Sequence, residues 1–80
     1  MGDVIERIKV ICKSEGLTRE ELVSKTGMNY ARWHNLMNNR GVMRPEEIVL
    51  TGKAFPEDKH WIVFGEELPE AGQISPESKD

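Results

Sequence analysis

The sequence predicts an all-α fold, a compact bundle of about five short helices. Apolar residues recur at helical spacing in separate segments, helix start and stop residues divide those segments, and none shows the sustained alternation of a strand. Eighty residues suit a single domain. A chain of this length buries only about 60% of the surface that it exposes when unfolded, so the apolar core is expected to be compact.

The first predicted helix begins at Asp3 and ends at Gly16. Asp3 can accept hydrogen bonds from the free N–H groups at the helix start, and Gly16 suits the left-handed conformation that ends many helices. Apolar positions spaced by three or four residues share one face of this helix. They are Val4, Ile5, Ile8, Ile11 and Cys12.

A capping box marks the start of the second predicted helix. Thr18 is followed three residues later by Glu21, so each can hydrogen-bond the backbone of the other, and the helix begins at Arg19. It ends after about two turns at Gly27, which can adopt a positive φ. The next helix is predicted to begin only about three residues later, after a tight turn.

The third predicted helix follows Asn29, which acts as its N-cap, and runs from Tyr30 to about Asn39. Its apolar side carries Trp33, Leu36 and Met37. The opposite side is rich in amides and carries Ala31, Asn35 and Asn38, with Arg32, His34 and Asn39 at the flanks. We expect Trp33 to belong to the core and His34 to be an ordinary surface residue.

Two prolines mark the starts of the fourth and fifth predicted helices. Pro45 and Pro56 each fit a first helical turn, where the missing N–H costs little. The core candidates of the fourth helix are Ile48, Val49 and Leu50. In the fifth, Trp61, Ile62 and Phe64 either complete the monomer core or contribute to a two-fold dimer contact.

Negative charge is concentrated in the C-terminal third of the chain. Residues 1–53 hold nine Lys and Arg against seven acids, whereas residues 54–80 hold two Lys against seven acids. Residues 69–80 also contain one branched aliphatic residue and no aromatic residue. We therefore expect a folded domain over residues 1–66 and a flexible acidic tail over residues 67–80.

Several function classes are disfavoured by what the sequence lacks. Cys12 is the single cysteine and cannot form an internal disulfide. No apolar run approaches the roughly 20 residues that span a bilayer, and the N-terminus has no signal-peptide pattern. No metal-ligand cluster, phosphate-binding loop or nucleophile and base pair is present. We therefore expect a cytoplasmic protein that is not an enzyme and uses no metal or cofactor.

Two capped helices joined by a glycine turn are typical of a helix-turn-helix motif. Residues 17–23, residues 27–29 and Trp33 resemble the Xre/Cro/phage repressor-like DNA-binding family, and residues 61–66 are similar to a common ending of such domains. The resemblance covers residues 3–65. It implies a five-helix, lambda repressor-like bundle and a bacterial or phage regulator that binds double-stranded operator DNA, usually as a homodimer.

The resemblance also assigns contacts with DNA. The family's base-facing positions correspond to Tyr30, Ala31, Arg32 and Asn35. Arginine pairs with guanine, asparagine with adenine, and alanine can touch a thymine methyl group. Phosphate contacts, which set register without reading sequence, are assigned to Arg19, Asn29, Asn38, Arg40 and Arg44.

The sequence supports two hypotheses about function. The first is a sequence-specific transcriptional regulator, in particular a repressor of phage or mobile-element type, that reads the major groove with residues 30–39. The second is a protein-interaction module, antitoxin-like or a phage-encoded inhibitor, that acts through its acidic C-terminal region. Deleting residues 69–80 separates them, because only the second requires that segment.

Overall fold

The computed structural model of the chain describes residues 3–76 and confirms an all-α fold. It has five α-helices and one 3₁₀ turn. The elements are α1 (Asp3–Glu15), α2 (Arg19–Thr26), α3 (Tyr30–Met37), α4 (Pro45–Ala54), α5 (Lys59–Phe64) and the 3₁₀ turn Pro69–Ala71. Within the described range, the only β-type pairing is an isolated bridge between Leu68 and Gln73.

The connection between α2 and α3 forms through the predicted cap residues. Thr18 Oγ1 accepts a hydrogen bond from Glu21 N–H at 3.1 Å, and Thr18 N–H donates to Glu21 Oε1 at 2.8 Å. Gly27 ends α2 with a φ of 75°. Asn29 Oδ1 then accepts from Ala31 N–H at 2.7 Å, which starts α3. These local bonds confirm the capping box and the N-cap.

Two helix boundaries differ from the sequence prediction. α3 ends at Met37 instead of near Asn39, because Asn39 adopts a left-handed φ of 59° and turns the chain away from the helix axis. α5 begins at Lys59, because the residues after Pro56 first form a turn in which Asp58 N–H donates to Phe55 O at 3.0 Å.

Apolar residues of α1, α2, α3 and α5 and of the loops between helices form the buried core, and Ile48 and Ala54 of α4 pack against it. Its buried members are Ile5, Ile8, Ile11, Leu22, Met28, Trp33, Leu36, Met43, Phe55 and Ile62. The core prediction for α4 was wrong at Val49 and Leu50, which are exposed. Three consecutive residues cannot share one helix face, so α4 instead buries Thr51, whose hydroxyl donates to Glu47 O at 2.8 Å.

Trp33 fixes α3 against the end of α2. The indole is fully buried, as predicted, and its Nε1–H donates to Thr26 Oγ1 at 2.9 Å. The Thr26 hydroxyl in turn donates to Leu22 O at 2.8 Å. The buried polar atoms at the contact between α2 and α3 therefore have hydrogen-bond partners. These bonds restrict how α3 can rotate relative to α2.

The residues of α5 divide between core and surface. Ile62 is completely buried, whereas Phe64 is 63% exposed. Arg7 links α1 to α5, because its Nη1 donates a hydrogen bond to Ile62 O at 2.8 Å. Ile62 therefore completes the monomer core, and Phe64 remains on the surface.

The structure does not show a tail over residues 67–76. Gln73 accepts a hydrogen bond from His60 N–H and donates one to Pro56 O, both at 3.0 Å. Ser75 is buried and donates from its N–H and its hydroxyl to Glu67 Oε2, each at 2.8 Å. Polar pairing thus fixes a segment that has few apolar residues. The rest of the predicted tail, residues 77–80, lies outside the described residues.

Candidate nucleic-acid interface

One face of α3 points away from the core and presents a continuous polar surface. At about 100° per residue, its exposed positions fall within one arc of the helix. We call this arc the α3 face. It consists of Tyr30, Ala31, His34 and Asn35 of α3 and of Asn38, which caps the C-terminal end of the helix.

Asn35 is the amide on the α3 face that remains available to a ligand. Asn38 Nδ2 donates to His34 O at 2.7 Å. Within residues 3–76, the Asn35 side chain makes no hydrogen bond, and neither does the Tyr30 hydroxyl. An exposed amide offers one acceptor and two N–H donors to an incoming partner. Tyr30 and Asn35 therefore hold unused hydrogen-bonding capacity at the two edges of the face.

His34 belongs to the α3 face and joins it to α2. Its Nδ1 lies 3.2 Å from Nη1 of Arg19, the first residue of α2. Because a guanidinium can only donate, Nδ1 is the acceptor in this contact. The sequence prediction set His34 aside, although its position between Tyr30 and Asn38 at spacings of four residues could have placed it on this face.

Arg32 is directed away from the other three predicted base-facing residues. Its Nε lies 2.7 Å from Glu47 Oε2 and its Nη2 lies 2.8 Å from Glu47 Oε1, a two-pronged ion pair with α4. Nη2 also donates to Val42 O at 2.7 Å. Arg32 therefore ties α3 to the following loop and to α4, while Tyr30, Ala31 and Asn35 remain on the α3 face.

Glu47 is the buried centre of this connection, and the sequence prediction did not identify it. Its carboxylate also accepts a hydrogen bond from Arg44 N–H at 2.8 Å. The hydrogen bonds from Arg32 and then the one from Arg44 lower the pKa of Glu47, despite the opposing effect of burial. Since Arg32 and Glu47 are fifteen residues apart, no local pattern indicates the pair.

The pKa of Glu47 predicts how acid affects stability. The folded-state pKa lies below the ordinary value of 4.5, so the carboxylate stabilises the fold above that value and loses its contribution as the pH falls through the folded-state pKa. We expect Glu47→Gln to lower the free energy of unfolding near neutral pH by about 1–3 kcal/mol, since it weakens hydrogen bonds to a charged partner.

Denaturant titration of the wild type and of Glu47→Gln checks this expectation near neutral pH and in acid. The stability difference between the two proteins should be largest near neutral pH and should shrink in acid. Glu46→Gln, an exposed neighbour in the same helix, serves as the control and should change stability little. A Glu47→Gln difference that is independent of pH would contradict the ion-pair interpretation.

One cationic side chain contacts the α3 face, and two more are exposed on the loop that follows α3. Arg19 lies beside the face through the His34 contact, and Arg40 and Arg44 are exposed on the loop between α3 and α4. Within the described part of the chain, the Arg40 side chain makes no ion pair. Asn29, by contrast, uses Oδ1 for capping, which leaves its N–H groups for other contacts.

Residues 3–76 contain neither a candidate metal site nor a candidate membrane span. No group of three or more His, Cys, Asp or Glu side chains in that range could hold a metal ion. No helix in the same range has the length and apolar character to cross a membrane. Comparison with known protein families, with characterised proteins and with solved structures gives no match for this chain.

Proposed function

We propose that this protein is a sequence-specific DNA-binding regulator that inserts the α3 face into the major groove. The observation that carries the proposal is the α3 face itself, an exposed helical surface that includes an uncommitted amide and a free tyrosine hydroxyl. The best use of such a surface is recognition of a partner rich in hydrogen-bonding groups. The edges of DNA bases form such a partner.

Shape supports the proposal. α3 is an α-helix of eight residues. Such a helix is about 10–12 Å in diameter with its side chains, which fits a major groove about 12 Å wide. α2 packs against α3 across the Gly27 turn, and the buried contact between Trp33 and Thr26 keeps the two helices in register. A helix-turn-helix uses its first helix in this way, to brace the second against the DNA backbone.

The chemistry of the face suggests how bases are read. Asn35 can pair with adenine through both an acceptor and a donor, and the Ala31 methyl can contact thymine. Tyr30 can contribute a further hydrogen bond at the edge of the face. Arg32 acts as a positioning residue in this scheme, because its ion pair with Glu47 sets the angle of α3 instead of contacting a base.

Phosphate contacts would come from arginine side chains. Arg19 contacts the α3 face, Arg40 and Arg44 are exposed on the loop after it, and amide groups of Asn29 and Asn38 can supplement them. A domain with so few cations binds DNA weakly alone, so we propose that two copies act together on a two-fold operator. Bound at a promoter, such a dimer would act as a repressor by excluding polymerase.

A selection from a random DNA library tests this proposal. We expect enrichment of an inverted repeat whose half-sites lie about 10 bp apart, as two copies on one side of the duplex require. Titration of the recovered site by fluorescence anisotropy should show an affinity that falls steeply with salt, because bound phosphates release their counterions.

A selection that enriches no sequence would favour the other hypothesis about function. If no sequence is enriched, and the protein binds all duplexes alike or not at all, the α3 face does not read bases. The other function indicated by composition, protein binding through the acidic C-terminal region, would then be the one to pursue. Its first test is a variant shortened before Pro69.

A further inference from the structure

A groove between α4 and α5 exposes apolar side chains that the proposed DNA contact does not use. Its volume is about 670 Å³, and the residues that line it belong to α4, to α5 and to Pro56 between them. Val49, Val63 and Phe64 line it and are 55%, 41% and 63% exposed. Several large apolar side chains exposed together on a small protein indicate an interaction surface.

The edge of the groove is basic. Lys53 and Lys59 both line it, and neither forms an ion pair within residues 3–76. No acidic side chain is found among the described residues that line the groove. An apolar floor with unpaired cations beside it is complementary to an apolar ligand that also carries carboxylates.

Gly52 lines the groove where α4 faces α5. A Cβ at this position would lie 3.4 Å from Lys59 Cβ, which is an ordinary van der Waals contact. A small side chain would therefore fit here without displacing α5.

From these observations we infer that the groove binds an amphipathic helix of a partner protein, with an apolar stripe that faces Val63 and Phe64 and with Asp or Glu residues beside the stripe. α4 has ten residues and is about 15 Å long, which matches about three turns of a bound helix. The inference is independent of the proposed DNA binding, because α2 and α3 contribute no residue to the groove.

Charge argues against a second copy of this chain as the occupant. A two-fold contact brings the same patch of each copy together, so Lys53 and Lys59 of both copies would meet around one apolar centre. Like charges held close across an interface are unfavourable. An acidic helix from another protein neutralises the same lysines.

Two synthetic peptides test the inference. Both carry leucines at the i, i+3, i+4 and i+7 positions of a helix, one with glutamates beside the leucine stripe and the other with lysines there. Titrated into the ¹⁵N-labelled 80-residue protein, the acidic peptide should shift the amide resonances of Val49, Gly52, Lys59 and Val63. The basic peptide should bind at least about tenfold more weakly.

Variants of the groove complete the test. Lys53→Glu together with Lys59→Glu should weaken binding of the acidic peptide by at least about tenfold, and Phe64→Ser should abolish that binding. Equal binding of the two peptides, no binding of the acidic one, or shifts confined to other surfaces would overturn the inference. So would a concentration-dependent dimer that is lost in Phe64→Ser, which would show that a second copy covers the groove.

Discussion

Trp33→Ala should lower the free energy of unfolding by about 3–5 kcal/mol, the largest effect expected from one substitution in this chain. Trp33 is fully buried, so its removal leaves a cavity between α2 and α3. The change also removes the indole donor of Thr26 Oγ1. Because small domains have only about 5–15 kcal/mol of stability in total, much of this variant can be unfolded at room temperature.

Urea titration followed by far-ultraviolet circular dichroism measures the effect. Trp33→Phe is the matched control, since it keeps an aromatic ring in the core and removes the indole hydrogen bond. We expect Trp33→Phe to lower the free energy of unfolding by less than Trp33→Ala does. If Trp33→Ala is as stable as the wild type, Trp33 does not fix α3 against α2 and the geometry of the α3 face lacks its main support.

Asn35→Ala should reduce affinity for the selected DNA site by roughly 10- to 100-fold, the effect of losing one two-pronged base contact of about 1–3 kcal/mol. Affinity for unrelated duplexes should stay the same, because phosphate contacts carry non-specific binding. Asn35 makes no side-chain hydrogen bond within residues 3–76, so the folded structure should tolerate the change.

Anisotropy titrations with the selected duplex and with an unrelated duplex separate the two affinities. Ser14→Ala, which also replaces an exposed polar helical residue with alanine but lies on α1, is the control and should bind both duplexes as the wild type does. Equal losses on both duplexes would assign Asn35 to phosphate binding. An unchanged affinity for the selected duplex would remove Asn35 from the interface.

Features set by residues close in sequence could be predicted. The capping box of Thr18 and Glu21, the positive φ of Gly27 and the N-cap at Asn29 each depend on bonds within three residues, and all three are present. The same local rules placed the starts of all five helices within three residues of the observed ones.

Features set by distant partners could not be predicted. Arg32 was expected to face bases, yet it pairs with Glu47, which α4 brings to it only in the folded chain. Composition likewise predicted a tail where Gln73 and Ser75 make specific hydrogen bonds. Long polar side chains on the flank of a helix can turn either to solvent or to a neighbouring element, and sequence periodicity does not distinguish these outcomes.

The most direct test of the central claim is a chemical-shift titration of the ¹⁵N-labelled protein with the selected duplex, or with any short duplex at low salt. The proposal predicts the largest shifts on the α3 face, at Tyr30, Ala31, His34, Asn35 and Asn38, with smaller shifts at Arg19 and Arg40. Shifts confined to α4, α5 or residues 67–76, with the α3 face unchanged, would contradict it.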